Sequence, residues 1–210
     1  MDEALRQLSD QIDHATQRLL GTARIITEPD LRAASLLPGW TRAHVLAHVA
    51  RGADAMRQLL VGVRSGQDRS AYASTEAWQA DIEYRASLRP KELADDLAGS
   101  AMALRTVARQ LPDDGWQVPV RILDSAPFPA AQLLTRRLVE VELHHCDLGA
   151  GYTPADWPRA FATMELAEPM RTERADRVNC TRAAEPLAPV RPTAPYRPNQ
   201  RLPGSWLGTR

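Results

Sequence analysis

The sequence predicts an all-α protein, a four-helix bundle followed by an irregular tail rich in proline and arginine. Two observations support this fold class. Apolar residues recur at steps of three and four along four long segments, which is the spacing of one face of an α-helix. The chain also shows no strong strand pattern. Four amphipathic helices bury their apolar faces most simply against one another.

The first two long helices are separated by a break that contains proline and glycine. In the first helix, a single apolar stripe runs from Leu5 to Ile26. The stretch "EPDLRAASLLPGW" ends it, because Pro38 and the glycine after it interrupt helical periodicity. Thr41 is a predicted N-cap, since its hydroxyl can accept a hydrogen bond from an amide of the first turn. The second helix is expected over about residues 42–64.

A shorter helical segment, "TEAWQADIEYRAS", precedes the third long helix. Pro90 suits the first turn of that helix, where its missing N–H costs nothing, and Pro112 ends it. Residues 118–123 read as extended chain. Pro129 is expected to open the fourth long helix, which runs to about Leu148 and stops at the glycines of "DLGAG".

Size and charge restrict the classes of partner. The chain has 210 residues and a formal net charge of zero, so no basic excess favours nucleic acid or an anionic membrane. Two cysteines, Cys146 and Cys180, do not make a disulfide framework. The polar amino terminus is no signal peptide, and no apolar run approaches the ~20 residues that span a bilayer. We expect a soluble cytoplasmic protein whose partners are small molecules; its oligomeric state is not predicted.

Polar side chains are unusually dense near the end of the fourth helix. Glu140 and His144 are four residues apart and therefore share one helix face, where they can bind one metal ion together. The second helix offers His44 and His48, again four apart, as sources of a further ligand. Two histidines and one carboxylate with an open position favour zinc or a similar divalent ion. The alternative explanation is a surface Glu–His contact and a hydrogen-bonded core histidine.

Two stretches resemble a known family. "LLPGWTRAHVLAHVARGADAMRQLL" (residues 36–60) and "EVELHHCDLGAGY" (residues 140–152) are similar to the mycothiol-dependent maleylpyruvate isomerase family, part of the DinB/YfiT-like metal-binding four-helix bundles. The resemblance covers about residues 5–165. It implies that the three metal ligands are His48, Glu140 and His144. Asp147 then supports the ligands or ends the helix.

The resemblance also implies an activity. In the family's reaction, a low-molecular-weight thiol, mycothiol, adds to a cis enone diacid. Rotation about the resulting single bond and loss of the thiol give the trans isomer. Relatives transfer a thiol to electrophiles instead. A divalent metal, expected to be zinc, would lower the pKa of the thiol, which is a cosubstrate, so that neither cysteine is needed as nucleophile.

The chain departs from the family in two places. Fuller members continue into a second, α/β domain that supplies a basic residue, and Arg171, Arg174 and Arg177 offer no clear choice for it. Gly52 stands where the family often has asparagine. We therefore divide the chain into a metal-binding bundle (residues 1–165) and an extended or disordered tail (residues 166–210), which would also suit a remnant of a second domain left by truncation or a frame shift.

Three functions remain open at this point. The first is a metal-dependent enzyme that activates a thiol for isomerisation or S-transfer. The second is a non-catalytic, metal-stabilised bundle that binds a small molecule or a protein. The third is a metal-dependent hydrolase, in which the ion activates water. Dependence on a thiol separates the first from the third, and turnover of an electrophile separates the first from the second.

Overall fold

Four long helices form the bundle, as the periodicity predicts. The structure is a computed structural model that describes residues 2–67, 70–122 and 125–183. In chain order, its helices are α1 (Glu3–Ile25), α2 (Glu28–Arg32), α3 (Arg42–Ser65), α4 (Thr75–Ala86), α5 (Pro90–Arg109), α6 (Gln132–Asp147), α7 (Arg159–Ala162) and α8 (Met170–Ala183). Two short 3-10 helices cover Asp113–Gln117 and Pro154–Asp156, and a small antiparallel pair joins β1 (Pro119–Val120) to β2 (Phe128–Pro129).

The long helices close into a ring. α3 packs against α5 and α6, and α1 packs against the same two helices on the other side. α6 is the most enclosed element, because every residue from 137 to 148 is buried. Most helices in such bundles bury one stripe only. α6 therefore carries its polar residues into the interior, where each must find a partner.

The ends of α3 and α6 follow local sequence signals. Thr41 is the N-cap of α3, and its hydroxyl accepts a hydrogen bond from the amide of His44, as predicted. Gly149 follows the end of α6 with a φ of 61°, a left-handed conformation that glycine adopts without strain. α6 begins at Gln132 rather than at Pro129, because Pro129 pairs with β1 instead.

The segment after the bundle departs from the prediction. An extended or disordered tail was expected over residues 166–210, but Met170–Ala183 form α8, which packs against α6. The helix is hard to recognise in the sequence because its charged residues interrupt any apolar stripe. Residues 184–210 lie outside the described residues. No helix within the described ranges is long and apolar enough to cross a membrane.

Candidate metal centre

The structure brings together the three predicted metal ligands inside the bundle. His48 lies on α3, and Glu140 and His144 lie one turn apart on α6. The distance from His48 Nε2 to Glu140 Oε1 is 3.7 Å, and the ring centroids of His48 and His144 are 4.6 Å apart. All three residues are at most 2% exposed. A surface contact between Glu140 and His144 is therefore excluded.

The two histidines carry ring nitrogens without hydrogen-bond partners in the described part of the chain. These atoms are Nδ1 and Nε2 of His48 and Nε2 of His144. Burial, together with the neighbouring His144 and Arg137, lowers the pKa of His48 well below its ordinary value. His48 is therefore neutral at neutral pH and offers a nitrogen lone pair. Buried polar atoms of this kind usually have partners, so these nitrogens are candidate ligand atoms.

Arg137 balances the charge of Glu140. Arg137 Nη1 donates to Glu140 Oε2 at 2.9 Å and to the carbonyl of Val49 at 2.7 Å. Burial raises the pKa of Glu140, whereas the charges of Arg137 and His144 oppose that rise. The arginine engages one carboxylate oxygen, and the other, Oε1, lies on the side of His48.

Gly52 gives the Glu140 carboxylate its space. A Cβ atom built at position 52 would lie 2.0 Å from Glu140 Oε1 and 2.7 Å from Glu140 Cδ. Any larger residue at this point of α3 would therefore collide with the carboxylate. A glycine inside a helix costs about 1 kcal/mol relative to alanine, and here the close approach of Glu140 accounts for it.

Asp147 fixes one nitrogen of His144. The distance from His144 Nδ1 to Asp147 Oδ2 is 2.9 Å. Burial favours a higher pKa for Asp147, but the bonds from His144 and Arg177 outweigh it and hold the pKa below its ordinary value. Because the carboxylate is ionised, Nδ1 must donate, so the lone pair of the neutral His144 ring is on Nε2. Histidines that bind metals are commonly held by a carboxylate in this way.

Two tryptophans enclose His48. The rings of Trp40 and Trp78 lie 5.3 and 5.4 Å from the His48 ring, centroid to centroid, and both residues are buried. Trp78 comes from α4, which the sequence predicts only as a short helix. The aromatic wall restricts water around the His48 ring and lowers the local dielectric constant, which strengthens electrostatic interactions there.

His44 is engaged in capping α3. Its Nδ1 lies 2.7 Å from the Thr41 hydroxyl and accepts from the Thr41 amide at 3.3 Å. Its Nε2 lies 3.1 Å from Glu83 Oε2. Both ring nitrogens therefore have protein partners, which leaves His48 as the histidine of α3 that is available to a ligand.

The remaining polar residues of α6 face α1 and the segment that follows α6. Glu142 pairs with Arg18 Nη2 at 2.5 Å and accepts from the Tyr152 hydroxyl at 2.7 Å. His145 Nε2 lies 2.8 Å from the hydroxyl of Thr22, and its ring stacks on Tyr152. Glu142 and His145 thus have structural partners away from His48.

Cys146 is not a nucleophile in this fold. Burial, with the nearby charge of Asp147, raises the pKa of its thiol to about 12. The thiol is therefore protonated at neutral pH. Cys180 lies exposed on α8. The structure therefore argues against Cys146 as the reactive thiol.

The donor set of His48, Glu140 and His144 fits a divalent ion such as zinc. Two nitrogens or oxygens on one tetrahedral zinc lie roughly 3.3 Å apart, given bonds of ~2.0–2.1 Å. The 3.7 Å between His48 Nε2 and Glu140 Oε1 is close to this separation. Within residues 2–67, 70–122 and 125–183, the side chains as they stand do not form a group of three or more His, Cys, Asp or Glu that could hold a metal. A small closing movement of these side chains is therefore part of the hypothesis.

Sequence reasoning did not assign roles to several residues around these ligands. Arg137 has no sequence signal of its own, because charged pairs three positions apart on a helix are usually exposed. Gly52 was noted only as a departure from a family pattern. Gly52 contacts the Glu140 carboxylate, and Arg137 is buried beside it, only once α3 and α6 have packed. Their roles could therefore be recognised only if the arrangement of these two helices were already known.

Comparisons with known proteins show which proteins this chain is similar to. The family described as "Mycothiol maleylpyruvate isomerase N-terminal domain" matches residues 12–149. A crystal structure of the mycothiol-dependent maleylpyruvate isomerase is similar, with 30% identity and a TM-score of 0.71, over 75% of this chain and 65% of that one. A mutant of that isomerase with a histidine changed to alanine is similar at 29% identity, with the same TM-score and coverage. The chain therefore spans less than two thirds of the length of these isomerases. No curated protein matches significantly.

Proposed function

The chain belongs to the family of the mycothiol maleylpyruvate isomerase N-terminal domain, and we propose that it is a metal-dependent enzyme that uses a thiol of the mycothiol type. Its reaction would be cis–trans isomerisation of an activated double bond by reversible thiol addition, as the names of the similar isomerases suggest. Transfer of the thiol to another electrophile uses the same first step and is the alternative outcome.

The observation that carries this proposal is the set of unpartnered ring nitrogens of His48 and His144 beside the Glu140 carboxylate. These donors lie in the interior of the bundle, where polar atoms without partners are costly. A divalent ion held by His48, Glu140 and His144 would lower the pKa of a thiol, so that the nucleophilic thiolate is present at neutral pH.

Residues around the three proposed ligands control the protonation and the orientation of their donor atoms. His48 stays neutral because of its burial, and Asp147 holds the proton of His144 on Nδ1. Arg137 binds Oε2 of Glu140, and Oε1 lies on the side of His48. His48 therefore does not have to lose a proton before it binds a positive ion.

Isomerisation by this route needs no oxidant or reductant. The thiolate forms a carbon–sulfur bond at one end of the cis double bond. The π electron pair of the carbon–carbon double bond moves into the conjugated carbonyl. The carbon–carbon bond is then single and rotates. Return of the electron pair expels the thiolate and gives the trans isomer. The enzyme must therefore bind a thiol and a conjugated acid together, beside His48 and the wall formed by Trp40 and Trp78.

The test is conversion of maleylpyruvate to fumarylpyruvate by the zinc-loaded full chain, with and without mycothiol. We expect turnover only with the thiol. His48→Ala should reduce the rate by at least about a hundredfold, because one ligand of the ion is lost. His44→Ala is the matched control, since both ring nitrogens of His44 have protein partners in Thr41 and Glu83, and it should keep most of the activity.

A second assay covers S-transfer. The same proteins are incubated with mycothiol and monochlorobimane, and the thiol adduct is measured by fluorescence. Adduct formation without isomerisation would select S-transfer as the reaction. Absence of both reactions in a zinc-loaded, folded chain would refute the proposed function.

A further inference from the structure

A helix beyond the family domain, α8, reaches the candidate metal centre. Arg177 lies on α8, beyond residues 12–149 that match the family. Its Nε donates to Asp147 Oδ1 at 3.1 Å, and its Nη2 donates to Asp147 Oδ2 at 2.9 Å. This is the two-pronged geometry in which a guanidinium holds a carboxylate most firmly. The Arg177 and Asp147 side chains are only 14% and 5% exposed.

The carboxylate that Arg177 holds is the one that holds His144. Asp147 Oδ2 lies 2.9 Å from His144 Nδ1. The three side chains thus form a continuous series, from the guanidinium through the carboxylate to the imidazole. Because both oxygens of Asp147 are fixed by Arg177, the carboxylate cannot turn, and the His144 ring keeps one orientation.

The position of α8 does not depend on this contact alone. Met170, at the start of α8, is buried in the core, and Arg174 Nη1 donates to the carbonyl of Phe161 at 2.6 Å. Arg174 also lies over the Phe161 ring. Removal of the Arg177 side chain should therefore leave α8 in place, which makes its effect on His144 separable from the folding of the helix.

We propose that Arg177 is a positioning residue that acts through Asp147 to fix the orientation and the Nδ1–H tautomer of His144. α8 is then part of the metal centre, although it lies outside the family domain. This inference rests on the proposed function in one respect, because it takes His144 Nε2 as a ligand of the ion.

The first test is the tautomer of His144 in the metal-free full chain, measured by two-dimensional ¹H–¹⁵N NMR of the imidazole nitrogens at a fixed neutral pH. The wild type should show a single Nδ1–H tautomer. Arg177→Ala should show a mixture of tautomers. Arg171→Ala is the matched control, because Arg171 bonds to the exposed Glu168, and it should resemble the wild type.

The second test is zinc affinity, measured by competition with a chelator. Loss of a residue that supports a metal ligand typically weakens affinity by about 10–100-fold, and we expect Arg177→Ala to fall in this range. Arg177→Lys keeps the charge but cannot donate two parallel bonds, so its affinity should be intermediate. Arg171→Ala should bind zinc as the wild type does.

The two tests separate this inference from the proposed function. The tautomer of His144 is measured without metal, thiol or turnover. Its result therefore tests the role of Arg177 even if the chain has no isomerase activity. A single unchanged tautomer in Arg177→Ala would overturn the inference, as would zinc affinity within twofold of the wild type. If Arg177→Ala loses the hydrogen-exchange protection of α8, Arg177→Lys decides: a changed tautomer population supports the inference, and an unchanged one overturns it.

Discussion

The backbone of Gly52 on α3 lies directly against the Glu140 carboxylate on α6, and a Cβ atom at position 52 would be 2.0 Å from Oε1. Two helices can approach this closely only where one of them lacks a side chain. The glycine therefore determines where the carboxylate stands relative to His48. Arg137 holds the carboxylate from its other oxygen, so the group has little freedom to move aside.

Gly52→Ala should consequently damage the metal centre. We expect zinc affinity to fall at least tenfold, because Glu140 must leave its position. Stability should also fall, by up to about 2 kcal/mol, since the ~1–3 kcal/mol cost of overpacking outweighs the ~1 kcal/mol that alanine contributes to a helix. Gly99→Ala in α5 is the control, because a Cβ there meets nothing within 4 Å. Retention of zinc by a more stable Gly52→Ala would contradict the account. Chelator competition and urea unfolding measure the two effects.

Arg137→Met should be strongly destabilising in the metal-free protein. It removes the partner of a buried carboxylate and leaves Glu140 without a compensating charge on that side. Breaking such a pair typically costs about 3–5 kcal/mol. Arg136→Met is the control, since Arg136 lies over the Phe128 ring at 4.3 Å and should lose only about 0.5–1 kcal/mol. Urea unfolding that gives equal small losses for the two variants would show that Arg137 does not balance Glu140.

Tyr152→Phe should weaken the packing of α6 without affecting metal binding. The Tyr152 hydroxyl donates to Glu142 at 2.7 Å, and Glu142 is 1% exposed. Loss of a hydrogen bond to a buried charge costs about 1.5–3 kcal/mol. Tyr84→Phe removes a hydroxyl from a residue that is 65% exposed and should change the free energy of unfolding little. If Tyr152→Phe were as stable as the wild type, the ion pair with Arg18 would be sufficient to stabilise the buried Glu142, and the Tyr152 hydroxyl would contribute nothing.

Glu173 on α8 should make stability depend on pH. Burial raises the pKa of its carboxyl to about 7, and its Oε2 has no hydrogen-bond partner among the described residues. The charged groups around it are Arg136, His144, Asp147, Asp176 and Arg177. Because the folded pKa lies above the ordinary 4.5, the folded state binds the proton more tightly than the unfolded state does. The stabilisation of the folded state by this tighter proton binding is complete below about pH 4.5, and it is lost as the pH rises through about 7.

Glu173→Gln removes this dependence. Between pH 5 and pH 8, the free energy of unfolding of the wild type should fall more than that of the variant. Glu165→Gln, at an exposed position after α7, should behave as the wild type does. Parallel pH profiles for the wild type and Glu173→Gln would show that Glu173 ionises in the folded protein as it does in the unfolded chain.

The bundle could be predicted from sequence because its signals are local. Apolar spacing, the Thr41 cap and the glycine at position 149 are each read within a few residues, and the structure confirms them. The start of α6 was misplaced, because pairing between β1 and β2 takes Pro129 out of the helix. That pairing joins residues that are separated along the chain, which local signals do not reveal.

The candidate site was predictable only in part. The i,i+4 spacing gave Glu140 and His144, and the family resemblance selected His48. The residues that support them were not predictable, because each acts across a helix interface. Arg177 reaches Asp147 from a segment that reads as an irregular tail, and Gly52 meets Glu140 only after α3 and α6 have packed.

The central claim is that His48, Glu140 and His144 hold one divalent ion. Elemental analysis of the purified full chain tests it most directly, with His48→Ala as the variant and His44→Ala as the matched histidine control. We expect about one equivalent of zinc or a similar ion in the wild type and in His44→Ala, and a large loss in His48→Ala. No stoichiometric metal in the wild type after reconstitution, or an equal content in His48→Ala, would contradict it.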